Sequence, residues 1–271
     1  MRIIPKILIG ICPALFALSA CSSSGTTTAA DSDRPTVVVT YSVLGNIVEQ
    51  LVGDAATVTT LIPDGQDPHE FEPSAKDIES LNNASIVVSN GLDFEEGLEE
   101  TLENAKTAGV KVFMAGEHIT VRKIEDDDHG DNHQDDDKHV EGDPHLWLSP
   151  ATMLEMLPAL TSALSQAVGA DLSAQATALT TKLQDLDVQV ESIINSLGEC
   201  NLVSGHDEMG YFADRYGCEV IGVIIPSFTT TSEATAGELA ELKKLVEQNE
   251  VPAIFTGLGV SPDTANQLAK F

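Results

Sequence analysis

The chain has 271 residues, of which 42% are hydrophobic and only 4% aromatic, and it carries a formal net charge of −29. That length exceeds one average hydrophobic core, so two lobes are expected. So acidic a chain excludes nucleic acid and anionic lipid headgroups as partners and favours the capture of cations.

Arg2 and Lys6 open the chain, followed by an apolar run, Ile7 to Ala20, too short to span a bilayer as a stable helix. It ends Leu18-Ser19-Ala20-Cys21, which is similar to the lipobox of bacterial lipoproteins. The resemblance implies a signal peptide over 1–20, a lipid on Cys21 and an extracytoplasmic protein anchored to the bacterial cell membrane. Residues 21–34 are small and polar and read as a flexible tether.

From Thr36 apolar patterns of two periods alternate. Val37-Val38-Val39 is a β-branched strand, and Leu44, Ile47, Val48 and Leu51 follow at helical spacing. Val58 to Ile62 is a second strand, running into the loop Pro63 to Pro73. Ser74, with Asp77 three residues on, forms a capping box before a helix whose Ile78 and Leu81 face inward. Ile86 to Val88 is a third strand, Glu95 to Ala108 a charged helix and Val110 to Met114 a fourth strand. Such alternation predicts a parallel sheet with helices on its faces. Ligands of such sheets gather at the carboxyl ends of the strands.

Residues 117–142 interrupt the pattern with a polar insertion dense in Asp and Glu that contains His129, His133 and His139. After Pro150 a helix carries Met153, Leu154, Leu157, Leu160 and Leu164. A longer helical pattern then opens at Asp171 and runs through Leu172, Leu179, Leu183, Leu186, Val190, Ile193 and Leu197 to Gly198. Strand and helix alternate again beyond it, with Leu202-Val203, Met209 to Tyr216, Val220 to Ile225, Glu238 to Gln248, Ala253 to Thr256 and Pro262 to Lys270. The expected architecture is α/β: a first lobe over 35–170, a connecting helix over 171–198, and a second, pseudo-symmetric lobe over 199–271 that looks incomplete. Cys200 and Cys218 flank a strand-plus-helix unit, fit no zinc–thiolate spacing and are expected to form a disulfide in an exported protein.

Three histidines stand where a strand gives way to a loop. His69 and His145 each close an Asp-Pro-His tripeptide, and His206 ends the apolar run before Asp207. Proline restricts its own φ and the residue before it, so a histidine beside it is stiffly held, as a metal ligand must be. Three imidazoles and one oxygen suit Zn²⁺, whereas Mn²⁺ favours more oxygen. Imidazoles lose their lone pairs to protons near pH 6.5 when unperturbed, which would set the pH range of binding. Asp67, Asp143 and Asp207 are candidates to hold the ring N–H groups, against a capping or solvated role. The three histidines of the insertion are candidates for weak, exchangeable auxiliary sites, against a solvated spacer.

The stretches Leu61 to Ser74, Asp143 to Pro150, His206-Asp207 and Gly210 to Ala213, in that order and spacing, carry a resemblance over nearly the whole chain. The sequence is similar to the cluster A-I (class III, TroA-like) solute-binding lipoproteins, which deliver zinc or manganese to ABC importers. The resemblance implies two lobes joined by one backbone helix and a metal as transported ligand in the cleft, held by His69, His145 and His206. It further implies a permease as partner, a monomer and, in some members, an added adhesin role. Its fourth ligand is an Asp farther along than residue 271, which leaves Glu70 or a water for that position. An exported zinc hydrolase is the rival reading. It would need Glu70 or Glu208 as base, yet the chain has no His-Glu-x-x-His pair and no nucleophile elbow.

Overall fold

The computed structural model describes residues 34–123 and 142–269. The signal peptide, Cys21, and the histidines 129, 133 and 139 lie outside the described residues. The β-branched run becomes strand β1 (Thr36–Tyr41), followed by helix α1 (Ser42–Val52), strand β2 (Thr57–Ile62) and helix α2 (Ala75–Asn82). Strand β3 (Ile86–Ser89), helix α3 (Glu99–Thr107) and strand β4 (Val112–Met114) complete the unit. All pairings are parallel, in the order β2-β1-β3-β4. β2 and β3 lie on opposite sides of β1, so the connections part at the carboxyl ends of β1 and β3, where open α/β sheets form a crevice.

Val37, Val38 and Val39 have no exposed surface, because helices cover the sheet. Leu44, Val48 and Leu51 of α1 are equally buried, at roughly 1.5–3 kcal/mol for each such side chain. α2 starts on the capping box, with Ser74 and Asp77 each satisfying the other's backbone N–H. Only Leu81 of its expected inward pair is buried. Ile78 is exposed.

α4 (Pro150–Val168) and α5 (Ser173–Leu197) close the first core from below, with Leu160, Leu164, Leu172, Leu179 and Leu183 buried. At 1.5 Å per residue, α5 is about 37 Å long. Its expected apolar stripe ends early: Leu186, Ile193 and Leu197 are exposed. What fixes its far half is polar. The largely buried Asp187 accepts hydrogen bonds from Arg215 Nε at 2.9 Å, from Arg215 Nη2 and from the Tyr216 hydroxyl at 3.1 Å. These donors belong to α6 (Gly210–Tyr216), so one carboxylate ties α5 to the second half of the molecule. The Arg215 guanidinium beside Asp187 holds its carboxyl below the usual carboxylate range.

Strand β5 (Asn201–His206) pairs in parallel with β6 (Glu219–Ile225), and α7 (Ala236–Gln248) and α8 (Pro262–Leu268) follow. The strand expected over Ala253–Thr256 shrinks to one bridge, Phe255 to Ser204. Val203, Ile224, Ile225, Leu242, Val246, Val260 and Leu268 form a second, smaller core. Tyr211 of α6 departs from this division, since its ring is buried within the first core. Cys200 and Cys218, the residues before β5 and before β6, form a disulfide.

Two stability outcomes follow. Replacing Asp187 by alanine strands the Arg215 guanidinium and should cost about 2 kcal/mol, read as a lower chemical-denaturation midpoint. Replacing both Cys200 and Cys218 by serine removes a crosslink spanning 18 residues. It should cost about 3 kcal/mol on the chain-entropy estimate. Finding two free thiols by mass spectrometry of the unreduced parent would remove the basis of the second expectation.

Candidate metal centre

Three loops converge over the carboxyl ends of the first sheet. The loop after β2 brings His69, the segment before α4 brings His145, and the end of β5 brings His206. In both Asp-Pro-His tripeptides the aspartate folds forward over the proline: Oδ1 accepts the backbone N–H of the histidine two residues on, at 3.0 Å for Asp67–His69 and 2.9 Å for Asp143–His145. This Asx-type turn fixes each histidine backbone before its side chain is placed.

All three imidazoles are buried, with 5%, 1% and 4% exposure for His69, His145 and His206. One nitrogen from each lies within 4.8 Å of one from each of the others. His145 Nδ1 lies 2.9 Å from Asp143 Oδ1. A proton on Nδ1 makes that a hydrogen bond and leaves the Nε2 lone pair facing inward, 3.0 Å from His206 Nε2. Both ring nitrogens of His69 and Nδ1 of His206 are buried without a hydrogen-bond partner. Buried polar atoms left bare cost about 1–3 kcal/mol each, and three in one cavity call for a Lewis acid or a donor between them. Nitrogens at ~2.0–2.1 Å around a tetrahedral Zn²⁺ stand ~3.3 Å apart, which lies within the range the trio spans, 3.0 Å for one pair and no more than 4.8 Å for any.

The electrostatics point the same way. Burial first, then the neighbouring His145, lowers the His69 pKa to about 4. Burial, with His145 and His69 beside it, lowers His206 to about 3. These rings therefore stay neutral, with lone pairs available, well below the 6.5 expected from the sequence alone.

The walls are aromatic on one side. Phe94 meets His69 edge-on at 5.0 Å, and Trp147 meets His145 at 5.4 Å. Tyr41 packs against both, at 5.0 Å from Phe94 and 5.2 Å from Trp147. Beneath them, Asn90 accepts from the Tyr41 hydroxyl at 2.8 Å and donates to the Pro144 carbonyl at 2.9 Å. Glu95 accepts from the Asn90 N–H at 2.8 Å and from the Thr40 hydroxyl. Burial pushes its carboxyl up to about 7. The sequence reads Glu95 as the first residue of a charged helix. The helix begins at Glu99 instead, and Glu95 turns into the protein.

The candidate carboxylates separate. Asp67 and Asp143 hold the histidine backbones, and Asp143 also meets a ring nitrogen. Asp207 is held above the ordinary carboxylate range by burial, then by the charge of Asp143. Glu70 is exposed and is not among the cavity-lining residues. Glu208 lines the cavity instead, with Oε1 3.8 Å from His206 Nδ1. Its carboxyl is raised chiefly by burial. The sequence signal for it was its place two residues after His206, on the turn that follows the strand.

Known proteins share this arrangement of chain and fold. The chain is 26% identical to the manganese-binding lipoprotein MntA of Halalkalibacterium halodurans, over 87% of its own length and 75% of that protein's. It is 30% identical to the zinc-binding lipoprotein AdcA of Streptococcus pneumoniae over its whole length, yet spans only about half, 53%, of AdcA. Among solved structures, the periplasmic zinc-binding protein TroA of Treponema pallidum superposes with a TM-score of 0.73 at 26% identity, covering 87% of this chain and 82% of TroA. A family model described as ZnuA, zinc-uptake complex component A, periplasmic, matches residues 37–271. The chain belongs to the ZnuA family: it is a metal-binding component of an ABC-type metal uptake system and not an enzyme.

Proposed function

We propose that the chain captures Zn²⁺ between His69, His145 and His206 and hands it to the permease of an ABC-type importer. One observation carries the choice of site: both ring nitrogens of the buried His69 lack partners while nitrogens of His145 and His206 lie within 4.8 Å. The choice of ion rests on the donor set. Among the described residues the cluster offers three imidazole nitrogens and no carboxylate oxygen at the same range. That set suits a borderline ion of tetrahedral habit better than Mn²⁺, which favours carboxylate and water. A water, or Glu208 after a small movement, completes the coordination. A lipid on Cys21 would hold the protein at the outer face of the cell membrane. The acidic segment 125–141 would offer weaker, exchangeable sites through His129, His133 and His139.

Titration of the metal-free protein should find one tight zinc site per chain. His69→Ala, His145→Ala and His206→Ala should each weaken it by at least about a hundredfold, since each removes one of few bonds. Full affinity in all three variants would sink the reading. Saturating zinc at about a thousand times Kd should add about 4 kcal/mol to the parent's stability.

The pH dependence has a definite sign. The folded pKa values of His69 and His206, about 4 and about 3, lie below that of a free imidazole, ~6.5. The unfolded chain therefore binds more protons between these values, and metal-free stability should be lost as pH falls from about 6.5 toward 3. Proton competition at these two rings should weaken zinc binding only as pH falls toward about 4. A loss of about tenfold or more between pH 7.5 and 6 would show that these imidazoles titrate as if in water.

A further inference from the structure

In each Asp-Pro-His tripeptide one aspartate oxygen holds the histidine, and the other faces a group across the site. Oδ2 of Asp67 accepts a hydrogen bond from the Thr230 hydroxyl at 2.8 Å. Beside it, a Cβ on Gly259 would fall 2.2 Å from that same oxygen. Asp143 is wholly buried, and its Oδ2 lies 3.6 Å from Arg122 Nη1 with no hydrogen-bond partner. Gly210, the first residue of α6, presses on this pair so closely that a Cβ would stand 2.4 Å from Asp143 Oδ2 and 2.5 Å from Arg122 Nη1.

Arg122 does not serve Asp143 alone. Its Nε donates to Asp214 at 2.9 Å, and its backbone N–H donates to the Tyr211 hydroxyl at 3.1 Å. Both partners are on α6. The backbone carbonyl of Arg122 accepts the N–H of Asp143 at 3.1 Å. A buried carboxylate needs a counter-charge, and a guanidinium can fork between two acids where an ammonium is a single point charge.

We propose that Arg122 and Thr230 are positioning residues that make the placement of His145 and His69 depend on engagement of the β5–β6 half of the protein. With α6 seated, Arg122 balances Asp143, and Asp143 holds the backbone and Nδ1 of His145. With the 230 and 259 turns seated, Thr230 and the close-packed Gly259 hold Asp67 over the backbone of His69. Withdrawal of that half removes His206 and, in the same movement, loosens the two ligands left behind. The release of a bound ion is thereby steeper than the loss of one ligand would make it. This inference rests on the metal-binding reading above.

The test measures zinc dissociation into excess chelator by stopped flow, together with the visible spectrum of the Co²⁺-loaded protein, for the parent and four variants. Arg122→Gln and Thr230→Val should each raise the dissociation rate about tenfold or more and alter the Co²⁺ bands. Arg122→Lys, which keeps the charge and loses the fork, should recover less than half of that effect. Asp214→Ala removes a carboxylate whose side chain is 65% exposed and so spares the core. It should raise the rate about threefold while leaving metal-free thermal stability unchanged. Unchanged dissociation and spectra in Arg122→Gln and Thr230→Val, with the parent binding one zinc tightly, would overturn the inference alone. So would faster dissociation with unaltered Co²⁺ bands and an equal loss of metal-free stability. Failure of the parent to bind any zinc would bring down the metal-binding reading and this inference with it.

Discussion

The structure depends on keeping three imidazoles out of water with a ring nitrogen of each close to the other two. Nothing about that arrangement is favourable by itself. His145 Nε2 and His206 Nε2 meet at 3.0 Å, and three other ring nitrogens have no partner. The cost is borne by the rest of the molecule. The parallel sheet places two of the loops, the aromatic wall of Tyr41, Phe94 and Trp147 excludes solvent, and the tripeptide aspartates hold the backbones. A site built this way is poised, because the free energy spent on dehydration has already been spent when an ion arrives. The same logic explains why the cavity has an apolar side: a wet, fully polar pocket would satisfy the nitrogens with water and leave less for an ion to gain.

How much of this was legible in the sequence follows from the range of each interaction. The alternation of β-branched runs with 3.6-residue periods is local, and the order of strands and helices could be read from Thr36 to Met114. The capping box at Ser74 and Asp77 spans three residues and was equally plain. The histidines stood out because the Asp-Pro-His pattern occurs twice. What could not be read depends on distant partners. Glu95 sits in a charged stretch and looks like helix surface until Thr40, 55 residues away, is seen to hold it. Arg122 belongs to a polar run, and its partners on α6 lie about 90 residues on. The apolar face of α5 was overdrawn for the converse reason: periodicity finds a stripe, yet only neighbours in space decide how much of it is covered.

The two halves of the protein differ in how they are held. The first has four strands and a core built from some thirty buried residues, with α4 and α5 beneath. The second has two paired strands and seven buried core residues. Part of its support is borrowed: α6 inserts Tyr211 into the first core and lends Arg215 and Tyr216 to Asp187 on α5. α6 is thus both the element that follows the His206 strand and the one most firmly attached to the other half. Motion of the second half must work against this helix or carry it along.

Trp147 has been described as part of the wall, but its position has an optical consequence. It is the only tryptophan in the chain, and its ring lies 5.4 Å from that of His145. Any change in the charge or orientation of that imidazole alters the surroundings of the single indole, and no second indole dilutes the signal. The protein therefore carries its own fluorophore at the point where occupancy is decided. Its ultraviolet emission can follow filling and emptying in real time without a label.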